Sequence, residues 1–223
     1  MNNLKKTQPM DKSSGERQKV EIFVPIDIHP LAISQARAFA NISRSLAMGI
    51  NDEGNPGELL AYLVNAGLSI ELYLKALMIA AHTGRVTKGH DLHQLYQGFP
   101  NFLRDFIEFT FLSQRPTEGW SIKMCAVKFS DRPPHGPGSR PRPAFETFAA
   151  TLSTTKDAFV RARYFFERVN CDDWSVFEYA PGPLDSAMLA LDAAYQHLLA
   201  GSFAAGRDMI AEKSMANLIG APE

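Results

Sequence analysis

The chain is poor in cysteine, with only Cys125 and Cys171 among 223 residues. Neither belongs to a C-x-x-C pair, which argues against a disulfide framework and for a reducing compartment such as the cytoplasm. Cys171 is flanked by Asp172 and Asp173, a setting that disfavours the thiolate and makes it a poor nucleophile. An excess of either charge is also missing. The formal net charge is −1, so no global field draws the chain to nucleic acid or to a membrane surface, and any grip on phosphate must be local. The N-terminal residues do not resemble a secretory h-region. The longest apolar runs are interrupted by Asn65, Ser69, Glu71 and Lys75, short of the roughly 20 residues that span a bilayer, so no membrane span is expected. There is no phosphate-cradling Gly-rich loop after a strand, no G-x-S-x-G elbow and no H-E-x-x-H pair, and no cofactor is expected.

The chain does have ample apolar material, 45% of its residues, enough for one good core. Residues 1–20 are polar without an apolar period and read as a tail. Residues 21–204 read as one helical bundle, and 205–223 as a C-terminal tail in which Met209, Ile210, Met215 and Leu218 suit a short helix. Val20 to Ile28 alternates loosely, as an extended arm does. Pro30 suits a first helical turn, and Leu31, Ile33, Ala36, Ala40, Ile42 and Leu46 then give an apolar stripe that stops near Gly49. Residues 51–57 form a turn by composition. A long central helix follows, then His90 to Tyr96 and Asn101 to Leu112, one helix broken at Gly98 and Pro100 or two short ones, with Phe102, Phe106 and Phe109 as a core stripe. Trp120 to Phe129 suits a short strand or hairpin arm. Residues 131–143 carry too much Pro and Gly for a helix and form a flexible basic loop, whose Arg132, Arg140 and Arg142 are candidate phosphate contacts. Residues 144–170 resume a helical pattern through Phe145, Phe148, Leu152 and Phe159. Residues 172–182 read as a connector, and a final helix starts at Pro183 with Leu184, Met188, Leu191, Ala194, Tyr195 and Leu198 on one stripe. The expected fold is all-α, an antiparallel helical bundle of about five main helices with one long Pro/Arg-rich loop.

The densest chemistry lies between Leu68 and Tyr96. From Glu58 to Ala81 the helix is apolar nearly all round, as a centrally placed helix is. Glu71 and Lys75 are the exceptions, four apart in the favourable acid-before-base order. A Gly-bearing loop, residues 84–89, then brings His90 and Asp91 to the start of another helix, where Asp91 meets the positive end of the dipole. The chain folds back there, which gathers Glu71, Lys75, His82 and His90 around one loop. His82, His90, His93 and Asp91 lack the tight ligand spacing of a zinc site, so no metal is expected. Arg163 and Glu167 repeat the spacing of four on the later helix. Glu71 facing Arg163 and Lys75 facing Glu167 would make a four-charge lattice, with Tyr164 and His90 at its edge.

These residues resemble the HEPN (higher eukaryote and prokaryote nucleotide-binding) domain family. Glu71, Lys75 and Ala76, then Gly84, then His90, Asp91, Leu92 and Leu95 look like its E-x-x-x-K-A-L, Gly loop and H-D-L-x-x-L spine, and Arg163, Tyr164 and Glu167 look like the R-Y-x-x-E part of a later segment in one group. The resemblance implies an antiparallel bundle, frequent homodimers, and kinship with RNases, toxins and their inactive relatives. Catalytic members carry an Arg, four to six residues and then a His toward the last helices. The only pair so spaced here, Arg85 and His90, sits instead in the loop after the Glu71 helix, and chance alone gives about one such match.

Three functions follow as expectations. The first is a noncatalytic or weakly catalytic module in an RNA-linked or defence system of the toxin–antitoxin kind, with RNA, a nucleotide or a partner protein as ligand. Its polar centre would be Glu71, Lys75, Asp91, Tyr164 and Glu167, joined by His90 and Arg163. The second is a metal-independent endoribonuclease. There His90 acts as general acid or base toward a ribose 2′-hydroxyl, and Arg163 or Arg85 stabilises the phosphorane. The third is a dimeric scaffold without ligand.

Overall fold

The computed structural model describes residues 21–50, 56–81, 84–116, 123–127, 145–163 and 175–201. Among them are six α-helices, α1 (His29–Gly49), α2 (Pro56–Ala81), α3 (Leu92–Gln97), α4 (Asn101–Ser113), α5 (Phe148–Arg163) and α6 (Pro181–Leu199). Five are long and α3 is a short one, so the expected all-α bundle is the observed one. Four short strands accompany it, β1 (Glu21–Phe23), β2 (Arg85–Thr87), β3 (Lys123–Val127) and β4 (Ser175–Tyr179). The basic loop at 131–143 and both tails lie outside the described residues.

Pro30 stands in the first turn of α1, where its missing N–H is not needed. The buried face of α1 is Ile33, Ala36, Ala40 and Ser43. Two of the four are alanines, so the backbone of α2 can come close, and the Ser69 hydroxyl donates to the Ala36 carbonyl at 2.8 Å. Leu31 and Ile42, expected on this stripe, are 59% and 47% exposed instead. At 3.6 residues per turn both fall on the side of α1 opposite that buried face. α1 packs most extensively on α2, and α2 also meets α5 and α6. Leu59, Leu63, Ala66, Ile70, Leu74 and Leu77 on α2 are all 1% exposed or less, which makes it the central helix that its composition implies. The stretch Gly57–Ala81 is long and apolar enough to cross a membrane, contrary to the expectation that polar residues break it up, but 67% of its most apolar window is buried inside the fold. That burial is what a core helix requires.

Two glycines set this packing. A Cβ on Gly67 would stand 2.2 Å from the Phe159 ring, so the gap left by Gly67 in α2 is the seat of an α5 aromatic. Gly84 has φ +93°, and a Cβ there would meet the Val24 carbonyl oxygen at 2.6 Å. It is this left-handed residue, where L side chains are strained, that lets β2 turn back and pair antiparallel with β1, with Ile22 opposite Val86. Val24 then donates to the Gly84 carbonyl at 2.9 Å. The start of α1 and the end of α2 are thus tied together, which makes the two helices antiparallel.

Three expectations change. Residues 175–179, read as part of a connector, are a strand that pairs antiparallel with β3, with Cys125 opposite Phe177. A pairing between segments some 50 residues apart leaves no local signal in either. The final helix starts at Pro181 rather than Pro183, which still places a proline in the first turn. In α4 the buried stripe is Leu103, Ile107 and Phe111, while Phe109 is 73% exposed and Phe102 and Phe106 are half-buried. Phe111 and Tyr96 both pack on Phe148, with ring centroids 5.8 and 4.9 Å away. α5 is capped from outside, because the Glu108 carboxylate of α4 accepts from the Phe148 N–H at 3.0 and 3.1 Å. Thr147 adds a side-chain cap to the Ala150 N–H at 3.0 Å, so donors that a helix start otherwise leaves unsatisfied are met.

Candidate polar centre on the central helix

Glu71 projects from the middle of α2, where its side chain is only 7% exposed. One carboxylate oxygen, Oε1, serves two partners. Lys75 Nζ, one helical turn on, donates to it at 2.7 Å, and His90 Nδ1 lies 2.7 Å from it. A carboxylate oxygen accepts, so Nδ1 is the donor in the second contact and Nε2 lies outside it. The ring itself is 59% exposed. The other oxygen, Oε2, is buried without a hydrogen-bond partner among the described residues.

The chain delivers His90 to this point by two local devices. The β1–β2 pairing fixes the path after α2, and the Asp91 side chain then accepts from the Gln94 N–H at 3.2 Å as the N-cap of α3. With Asp91 in the extended conformation a cap needs, the residue before it is held against α2. Leu92 and Leu95, the apolar positions of the same motif, are buried beneath.

Glu71, Lys75 and His90 are therefore brought together, and Asp91 is the cap that positions His90. The remaining expected members fall elsewhere. Arg85 is in β2, its backbone paired with Phe23, and Arg163 is the last residue of α5, but the side chains of both lie outside the described residues. His82, Tyr164, Glu167, Arg132, Arg140 and Arg142 lie outside them altogether, so two of the four lattice charges, Glu167 and the Arg163 side chain, are not described. Among the described residues no group of three His, Cys, Asp or Glu is disposed to hold a metal ion.

A second charged group was missed in the sequence. Arg37 Nε donates to Asp192 Oδ1 at 2.8 Å, Arg44 Nε donates to Asp185 Oδ1, and the Tyr73 hydroxyl donates to Asp192 Oδ1 at 3.1 Å. The signal was present, since Arg37 and Arg44 are seven apart on α1 and Asp185 and Asp192 are seven apart on α6. Two such pairs in opposite order match only if the helices run antiparallel side by side, which no local pattern states. Burial, and then Asp192, push the Tyr73 phenol well above its ordinary range, so it stays a donor. The Asp192 hydrogen bond raises Arg37 further above its ordinary value.

Comparison of the chain with family models, with curated proteins and with solved structures gave no match in any of the three.

Proposed function

We propose that the chain is a HEPN-like helical module, noncatalytic or weakly catalytic, that acts in the cytoplasm within an RNA-linked or defence system of the toxin–antitoxin kind, as a homodimer with RNA, a nucleotide or a partner protein as ligand. The observation that supports this reading is the convergence of the Glu71, Lys75 and His90 polar groups on a single buried carboxylate oxygen. The E-x-x-x-K and H-D-L segments then act as one unit in space, the first supplying the acceptor and the second a donor and a cap. Charges engaged with one another in this way fix the two segments against each other and keep the surface above them in shape.

A second reading rests on the exposure of His90. A ring oriented through Nδ1 by a carboxylate, with its face in solvent, has the arrangement used by general acid–base histidines. In that reading the chain is a metal-independent endoribonuclease, with Arg163 or Arg85 as the anion stabiliser. One experiment separates the two. Purified protein is incubated with labelled total RNA in EDTA beside His90→Ala and Arg163→Ala, with melting followed in parallel. The module reading expects no cleavage, or a weak cleavage that neither substitution abolishes. Specific cleavage by the wild type that either substitution abolishes, at unchanged melting temperature, would establish the nuclease and overturn the module.

A further inference from the structure

Between α1, α2 and α6 lies a cleft of about 230 Å³, lined by Arg37, Asn41, Arg44, Tyr73, Met188, Leu189 and Asp192. It is separate from the Glu71 centre. Tyr73 and Glu71 are two apart on α2, so they point about 200° from each other around the helix. Two guanidiniums and the Asp192 carboxylate line it, and Asp185, just behind the wall, is paired with Arg44 as Asp192 is with Arg37.

The hydrogen bonds decide which groups are left for a ligand. Asp192 Oδ1 already accepts from both Arg37 and Tyr73. Each arginine meets its aspartate through Nε, a side-on approach that fixes the plane of the guanidinium and leaves terminal N–H groups as donors. Arg44 places one of them on Asn41 Oδ1 at the long distance of 3.5 Å. Arg37 and Arg44 are 45% and 38% exposed, open enough to be reached. What the cleft offers is thus two oriented forks of donors above the buried Met188, with Leu189 at the exposed rim.

We propose that this cleft binds a small phosphomonoester, its phosphate gripped by the terminal nitrogens of Arg37 and Arg44 and its organic body resting on Met188 and Leu189. A carboxylate is satisfied by one guanidinium fork, whereas the three terminal oxygens of a phosphomonoester accept from two. A volume of about 230 Å³ has room for roughly eight waters at about 30 Å³ each, which suits a phosphate with a small body and excludes a folded chain. Lysine cannot replace either arginine, since it lacks the planar fork.

The test is titration calorimetry of the whole chain with phenyl phosphate, inorganic phosphate and dimethyl phosphate as probes. Phenyl phosphate is expected to bind at one site with Kd below about 1 mM, and dimethyl phosphate, which has one terminal oxygen fewer and carries a single negative charge, about tenfold more weakly or worse. Arg37→Lys and Arg44→Lys should each weaken phenyl phosphate about tenfold. Leu189→Trp fills the cleft from an exposed rim position, leaves both ion pairs in place, and should abolish binding without lowering the melting temperature, which keeps the test open if a lysine variant unfolds. Unchanged affinity in Leu189→Trp, equal affinity for the monoester and the diester, or no saturation by about 10 mM phenyl phosphate overturns the proposal. None of these outcomes touches the Glu71 centre or the reading built on it.

Discussion

Glu71 is the residue on which most of the local chemistry turns. Its neutral analogue would keep the shape and lose the charge that Lys75 and His90 both use. Glu71→Gln is therefore expected to lower unfolding free energy by about 1–3 kcal/mol, the usual range when a buried, hydrogen-bonded charged group loses its role. His90→Ala removes a largely exposed ring and should cost less than about 1 kcal/mol. Urea unfolding of the two variants checks the order, and a larger loss in His90→Ala would mean that the ring, not the carboxylate, holds α3 against α2. The pairing of Glu71 with Lys75 could be read from their spacing of four. The His90 contact, 19 residues away, could be expected only because a Gly-bearing loop turns the chain back. The cation pair of the cleft shows in the sequence only as two matched spacings of seven, because Arg37 finds its carboxylate 155 residues later.

At the scale of the element, the packing of α2 against α5 rests on Gly67. With the Phe159 ring in the place a Cβ would take, Gly67→Ala gains helix propensity of up to about 1 kcal/mol yet forces a buried aromatic to move, an overpacking that costs about 1–3 kcal/mol. A net loss of stability is expected in thermal melts, and Phe159→Leu in the same background should recover part of it. Gly67→Ala alone proving more stable than the wild type would show that the ring has room to retreat. The α4 stripe shows why a helix face cannot be chosen from period alone. Phe102, Phe106 and Phe109 recur at helical spacing, but so do Leu103, Ile107 and Phe111, and only the position of Phe148 and α6 decides that the second set is buried. The first set, rich in aromatics, still finds a use, with Phe106 packed at a tilt against His197, ring centroids 4.7 Å apart.

For the whole molecule, three tyrosines set a limit at high pH. Tyr73, Tyr96 and Tyr195 are all raised above the ordinary phenol value of 10.0, chiefly by burial. A folded-state pKa above the unfolded one means that the folded chain holds the proton longer, so stability is complete below about pH 10 and falls as pH rises beyond it. Urea midpoints at about pH 8 and about pH 11 should show this fall, and Tyr96→Phe should make it shallower. An unchanged midpoint at the higher pH would mean that the phenols ionise alike in both states. The proton that is retained on Tyr73 is also the one it donates to Asp192, so the alkaline limit and the shape of the cleft share one group.

What the amino-acid sequence determined by itself was the class of fold, the central place of α2, the helix starts marked by Pro30 and Asp91, and the short-range pair of Glu71 and Lys75. Each is a matter of composition, period or capping within a few residues, where backbone geometry leaves little choice. What only the tertiary structure decided was the strand pairing of β3 with β4, the buried face of α4, the cap that Glu108 gives to α5, and the meeting of Arg37 and Arg44 with Asp192 and Asp185. These depend on which surfaces of distant segments lie side by side, a choice made by burial summed over the whole core rather than by any one window of the chain.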